Sequence, residues 1–261
     1  MASVLERSLI ILETLANFPE GCALTALAEA ANMPASAAHR LLAELSRYGY
    51  IRQERDHGRY RLTMKLTALG LNFLNRSGIV DIVQPSLERL AEACGELVRL
   101  AVVDGDELIF VAKAQGSKSA LRYDPDMGLS VPLSCSAAGH AWLSTMPENE
   151  ALERVARQGF GGPETYGPRA PTSVVALLPY LGKARARGFS VIVEVFAPGM
   201  SAMSAPVRTR AGNVLGVVTI AGPMSRLPEG RMLQIGPSLM ATAAEIAEAS
   251  GASSLFRVKA A

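Results

Sequence analysis

Arg52, Arg55, His57, Arg59 and Arg61 crowd onto one short ribbon, and Ser36, His39 and Arg40 precede them on a helical stretch. Side chains of these types pair with phosphates, and at suitable reach they donate to base edges in a DNA groove. Residues 47–65 hold six Lys/Arg against two Asp/Glu, whereas residues 79–261 hold seventeen of each. The formal net charge of the chain is only +2. The positive field is therefore local, and the local field is what attracts phosphate.

The elements that must position these groups follow from periodicity. Leu5, Leu9, Leu12 and Leu15 recur at helical spacing over 4–18, and Pro19 and Gly21 close that helix. Thr25 is read as the cap of a short second helix, with Leu24 and Leu27 facing inward. Asn32-Met33-Pro34 makes a turn, and Pro34 suits a first helical position. A third helix covers 35–48, its apolar stripe formed by Leu41, Leu42 and Leu45. Ala35, Ser36, Ala38, His39 and Arg40 lie at its start, where small residues permit close approach to a duplex. The period then changes to two. Residues 50–53 and 59–62 read as paired strands around a reversal at 56–58. Three helices and a hairpin are the order of a winged helix-turn-helix. In it Thr25 sits where the first helix of the motif crosses the DNA backbone, and Arg52, Arg55, His57, Arg59 and Arg61 decorate the wing. The alternative is a winged-helix interaction or adaptor module without specific DNA readout, because basic hairpins are also ordinary solvated surface.

Other chemistries find less support. Cys22, Cys94 and Cys135 are widely spaced and form neither a metal pair nor a disulfide framework. A reducing, cytoplasmic setting is expected. Cys135 and His140 are five apart, but a Cys–His couple needs a third, orienting group, and none is evident. His39, His57 and His140 are the only histidines, and two fall in the winged module, so no metal or other cofactor is expected. Residues 159–167 lack phosphate-loop spacing. The first helix, with Glu6, Arg7 and Glu13, is unlike a signal peptide. No apolar run reaches the roughly 18 residues that span a bilayer. The reading is not an enzyme, and no catalytic residue is assigned.

A helix over 64–76, marked by Leu66, Leu69, Leu71 and Phe73, leads to a break at Ser77-Gly78. The boundary is placed there, giving residues 1–78 and 79–261. Beyond a helix over 79–94, strands are expected over 97–103, 107–114, 190–196, 201–206 and 214–221. Helices are expected over 137–145, 148–158, 173–187 and 236–249, the last with Pro237 at its start. This is a mixed α+β arrangement, a sheet with helices packed against it.

Three ordered blocks carry a resemblance over nearly the whole length: AHRLLAELSRYGYIRQERDHGRYRL at 38–62 with LTALG at 66–70, VPLSCSAAGHAWLS at 131–144, and RGFSVIVEVFAPGMSAMSAPVRTRAGNVLGVVTIAGPMSRL at 187–227. The chain resembles the IclR family of bacterial transcriptional regulators. The resemblance implies an N-terminal winged helix-turn-helix, a linker helix and a GAF-like mixed α/β domain for effector binding and oligomerisation. It implies a homodimer or dimer of dimers on a palindromic double-stranded operator, a small-molecule effector such as an organic acid or aromatic pathway compound, and repression as the commoner mode. Self-pairing around the linker helices would then set the half-site spacing, about 34–36 Å or a multiple on one DNA face. The sequence departs from the family pattern at Ala35-Ser36-Ala37, where Lys-Ser-Thr is frequent. It departs again at Gly139-His140-Ala141, where Gly-Lys-Ala is frequent, and at Ala202, where a cysteine is common.

Within that resemblance, the second and third blocks supply an effector pocket. Ser134, Cys135, Ser136, Ala137, Ala138 and Gly139 open a helix whose free amides suit a carboxylate. Leu121, Leu133, Trp142 and Met203 offer an apolar body, Tyr123 a loop over it, and Glu194, Ser201 and Ser204 polar contacts. Plain alternatives stand beside these readings: Ser136 as a helix cap, Met203 and Trp142 as core, and Glu194 paired with an arginine.

Overall fold

A computed structural model describes residues 3–54, 58–119, 122–125, 127–128, 130–162 and 164–253. Arg55, His57 and Leu121 lie outside the described residues. The chain divides into two compact units, Met1–Arg76 and Ser77–Ala261.

In the first unit, α1 (Val4–Ala16) opens at a capping box in which Ser3 and Glu6 bond reciprocally. Its Ile11 and Leu15 join Leu27, Leu42, Ile51 and Tyr60 in one core. α2 (Leu24–Ala30) and α3 (Ala35–Arg47) follow. Between them Asn32 adopts the left-handed conformation at φ 47°, which asparagine tolerates better than most residues. Thr25 does not cap α2. Ala23 holds that position without a side-chain bond, because Cys22 is bridged to Tyr60 on the wing and the chain enters the helix directly from there. Pro34 likewise occupies the N-cap of α3, one residue before the position expected. β1 (Ile51–Gln53) and β2 (Tyr60–Leu62) pair antiparallel, with Arg52 opposite Arg61. Of the reversal at 56–58, only Gly58 is among the described residues, with φ 65°. α4 (Met64–Ser77) turns its apolar markers outward: Leu69, Leu71 and Phe73 are each more than half exposed.

The second unit runs α5 (Ile79–Cys94), β3 (Leu97–Asp104), β4 (Glu107–Gln115), α6 (Ala137–Leu143), α7 (Glu148–Gln158), α8 (Val174–Arg187), β5 (Ser190–Val193), β6 (Met200–Arg208), β7 (Val214–Pro223) and α9 (Glu229–Ala249). The five strands form one antiparallel sheet in the order β4-β3-β7-β6-β5. α5 and α9 pack together on the sheet, as α6 and α8 do separately. This is the helix-turn-helix plus α/β organisation that the resemblance implies. β5 ends three residues before the expected Phe196, because Glu194 turns left-handed at φ 55°. α9 starts at Glu229, so Pro237 is interior rather than initial. Met232, Gly236, Leu239, Ala243 and Ile246 make one continuous buried stripe through it. Burial of that stripe outweighs the roughly 3 kcal/mol that an interior proline costs.

Candidate functional site

The first unit presents an outward face. On α3, Ala38 and Leu42 point into the core and are fully buried, while Ala35, Ser36, His39 and Arg40 are exposed. Ala38, expected at the duplex, is therefore an inner contact of the helix. Thr25 is exposed on α2, as are Arg52 and Arg59 on the wing. Arg61 is different: its Nη1 donates to Glu54 Oε1 at 2.6 Å, so it has a partner before any phosphate arrives. Lys65 Nζ donates to the Tyr48 carbonyl at 2.6 Å and lies over the Tyr50 ring. It ties the start of α4 to the end of α3.

The second unit holds a partly open cavity of about 380 Å³ at the sheet and the start of α6. Tyr123, Ser136, Ala137, Ala138 and Ser201 border it. The remaining expected effector residues among those described lie elsewhere. Leu133 and Trp142 belong to the core around α6. Met203 is fully buried and alternates with Ala202, which does border the cavity; in a strand, successive side chains take opposite faces. Ser204 Oγ donates to the Val218 carbonyl and meets Thr219 Oγ1, both at 2.9 Å. Ser134 Oγ accepts from the Gly161 amide. Cys135 is buried with Ala137, Ile192 and Val195. Gly139 packs so tightly that a Cβ there would lie 2.3 Å from the Leu133 carbonyl oxygen. Glu194 accepts the Gly199 amide at the turn after β5 and borders no part of the cavity. It makes no ion pair with an arginine among the described residues.

At the expected carboxylate seat on α6, the Gly139 amide is taken from within. Ser136 Oγ accepts from the Gly139 amide at 2.9 Å and donates to the Pro132 carbonyl at 2.6 Å. His140, on the same helix, is fully buried. Its Nε2 bonds the Ser134 carbonyl at 2.7 Å, and Nδ1 has no partner among the described residues. Burial pulls its pKa down to about 4, against a smaller upward effect of the Ser134 carbonyl. The ring is neutral at pH 7, and its hydrogen bond goes to backbone rather than to Cys135. Among the described residues no cluster of three or more His, Cys, Asp or Glu could hold a metal.

Sequence reasoning missed the cavity's charged residue. Arg99 lies in the middle of β3, 7% exposed, with its guanidinium carbon 3.6 Å from the centre of the Phe110 ring. Its Nε has no hydrogen-bond partner among the described residues. Burial lowers its pKa, and Tyr123 partly offsets this. The available signal was one arginine within the apolar run LVRLAVV. Phe110, Ile192, Phe196 and Thr219 complete much of the wall and carried no signal beyond strand-like hydrophobicity.

The model of the IclR helix-turn-helix domain matches residues 4–55, and that of the bacterial transcriptional regulator IclR C-terminal domain matches residues 71–248. The chain belongs to the IclR family. It is a DNA-binding transcriptional regulator. The transcriptional repressor IclR of Escherichia coli K12 is 30% identical over 249 residues, spanning 95% of this chain and 89% of that protein. The crystal structure of Thermotoga maritima IclR superposes with a TM-score of 0.71 at 26% identity, covering 95% of this chain and 98% of that one. An IclR homologue from Microbacterium hydrocarbonoxydans, complexed with 4-hydroxybenzoate, has a TM-score of 0.78 at 23% identity, over 96% of this chain and 100% of that one. The last likeness concerns the fold alone. No helix among the described residues is long and apolar enough to cross a membrane.

Proposed function

We propose that this IclR-family regulator represses transcription from a palindromic operator, and that a small organic or aromatic metabolite in the cavity of the second unit changes its operator affinity. One observation carries the reading: the same chain has an exposed basic reading face in one unit and a partly open, mostly apolar cavity in the other. Ser36 and His39 read base edges from α3. Arg40, Arg52 and Arg59 hold phosphates, with Thr25 on the backbone beside α2. Repression is supported by the printed role of the E. coli relative, and a ring-bearing effector by the Microbacterium complex.

The operator is met by a homodimer or a dimer of dimers. Val4, Leu5 and Leu9 on α1 and Leu69, Leu71 and Phe73 on α4 are large apolar side chains left in water by the single chain. Exposed apolar side chains on these two helices support an association surface. The setting is cytoplasmic, where three free buried cysteines stay reduced.

Anisotropy titration of a labelled operator, with and without effector, tests the coupling. A ligand shifts occupancy only through its differential affinity for two states. Ala202→Phe, which projects into the cavity, is expected to keep operator affinity and lose the effector response. An undiminished response in that variant would place the effector elsewhere.

A further inference from the structure

We infer that Arg99 is the residue that selects the effector by charge, seating the carboxylate of a monoanionic acid whose compact apolar body fills the rest of the cavity. This rests on the cavity being the effector site. The argument begins with an electrostatic imbalance. Arg99 is buried in the sheet yet forms no ion pair among the described residues. Asp124 is the acid whose charge it feels, but Lys113 already bonds that carboxylate at 2.6 Å. A buried guanidinium without a counter-charge is costly, and a ligand anion removes that cost.

The geometry leaves the group presentable. Phe110 covers one face of the guanidinium at 3.6 Å, which fixes its plane; Tyr123 takes one hydrogen bond from it, and Nε is left for a partner. A planar fork of donors matches a carboxylate through two parallel hydrogen bonds.

Ser201 Oγ, buried on the same wall without a partner among the described residues, offers one further neutral hydrogen bond, whereas Ser136 and Thr219 are engaged. Ser136 both donates and accepts internally. The Ser204 proton goes to the Val218 carbonyl, so the Thr219 hydroxyl must donate to Ser204 Oγ. Arg99 is also the only ionised side chain on the described wall. A single positive charge balances a carboxylate and leaves a phosphate monoester with uncompensated charge. Ile192, Phe196, Ala202 and Ala221 receive the apolar body.

Isothermal titration of the full chain with benzoate, benzamide and phenyl phosphate tests this. In the wild type, benzoate is expected to bind roughly 10- to 100-fold tighter than benzamide, the range of a charge-assisted hydrogen bond, and tighter than phenyl phosphate. Arg99→Gln is expected to erase the benzoate preference while benzamide binding persists. Without ligand it should melt no lower than the wild type, since it removes an unpaired buried charge. Arg99→Lys should restore only part of the preference. Equal binding of benzoate and benzamide by the wild type, or an undiminished preference in Arg99→Gln, overturns the role of Arg99. If Ala202→Phe still abolishes binding of both compounds in that case, the effector cavity itself stands. Binding of both unaffected by Ala202→Phe overturns the cavity reading and this inference together, as does absence of binding by all three compounds.

Discussion

The two units handle polar chemistry in opposite ways. The first holds its functional groups outward on a convex helix and hairpin, where Arg40, Arg52 and Arg59 remain hydrated. The second turns its decisive cation inward, where Arg99 is desolvated and shielded by Phe110. A hydrated cation gains from phosphate mainly by releasing counterions, a weak, additive and salt-dependent effect. A desolvated cation gains from one well-placed anion, a strong effect that depends on geometry and is little screened by salt.

The sharpest contrast uses two ion pairs of the same length. Arg61 meets Glu54 at 2.6 Å with both side chains about a third exposed, whereas Arg226 meets Glu96 at 2.6 Å with Glu96 only 2% exposed. Arg226→Ala leaves a carboxylate buried and should cost about 3–5 kcal/mol in chemical denaturation. Arg61→Ala should cost about 1 kcal/mol or less. Comparable losses from both would break the comparison.

Next in size is a pH effect in the second unit. His140 has a pKa near 4 in the fold against an ordinary value of 6.5, so in that interval the unfolded chain binds the proton and the fold does not. Stability is full above about pH 6.5 and falls as pH drops toward 4, by about 3 kcal/mol in all. Melting curves across that range should show the fall in the wild type and a flatter profile in His140→Leu. Parallel profiles would contradict the buried, neutral imidazole.

Smaller effects belong to the outward face. Substitution of Ser36 or His39 should redistribute preference among sites by about 1–3 kcal/mol per base contacted. Arg59→Ala should weaken all sites alike, by about tenfold, and reduce the salt slope by about one. Competition binding at several salt concentrations separates the two classes. Equal loss at every site from both would remove the division of labour between α3 and the wing.

The same contrast explains what the sequence disclosed. The reading face is continuous in the chain: α3, the wing and their cations fall within thirty residues of one another, so charge density and periodicity revealed them. Even there Ala38 was placed outward on composition, although its spacing to Leu42 puts it on the inner stripe. The cavity is assembled from β3, β4, α6, β5, β6 and β7 together with the loop at Tyr123. Which strand residues face it depends on register: Ala202 borders it and Met203 does not, a choice set by one residue's offset. Glu194 was singled out for its charge, but its left-handed backbone makes it a turn residue bonded to Gly199. Arg99 was passed over because a single charge in an apolar strand says nothing about its partner until the opposite strands are known. The start of α9 was misplaced for a related reason, since a tertiary stripe can carry a helix through Pro237.

Selection of genomic fragments by the purified full-length protein at about 150 mM salt, where non-specific phosphate attraction is already weakened, tests the central claim most directly. The account predicts enrichment of one recurring inverted repeat, lost when Ser36 and His39 are both replaced by alanine. Retention of fragments without any shared sequence, unchanged by that double replacement, would contradict it.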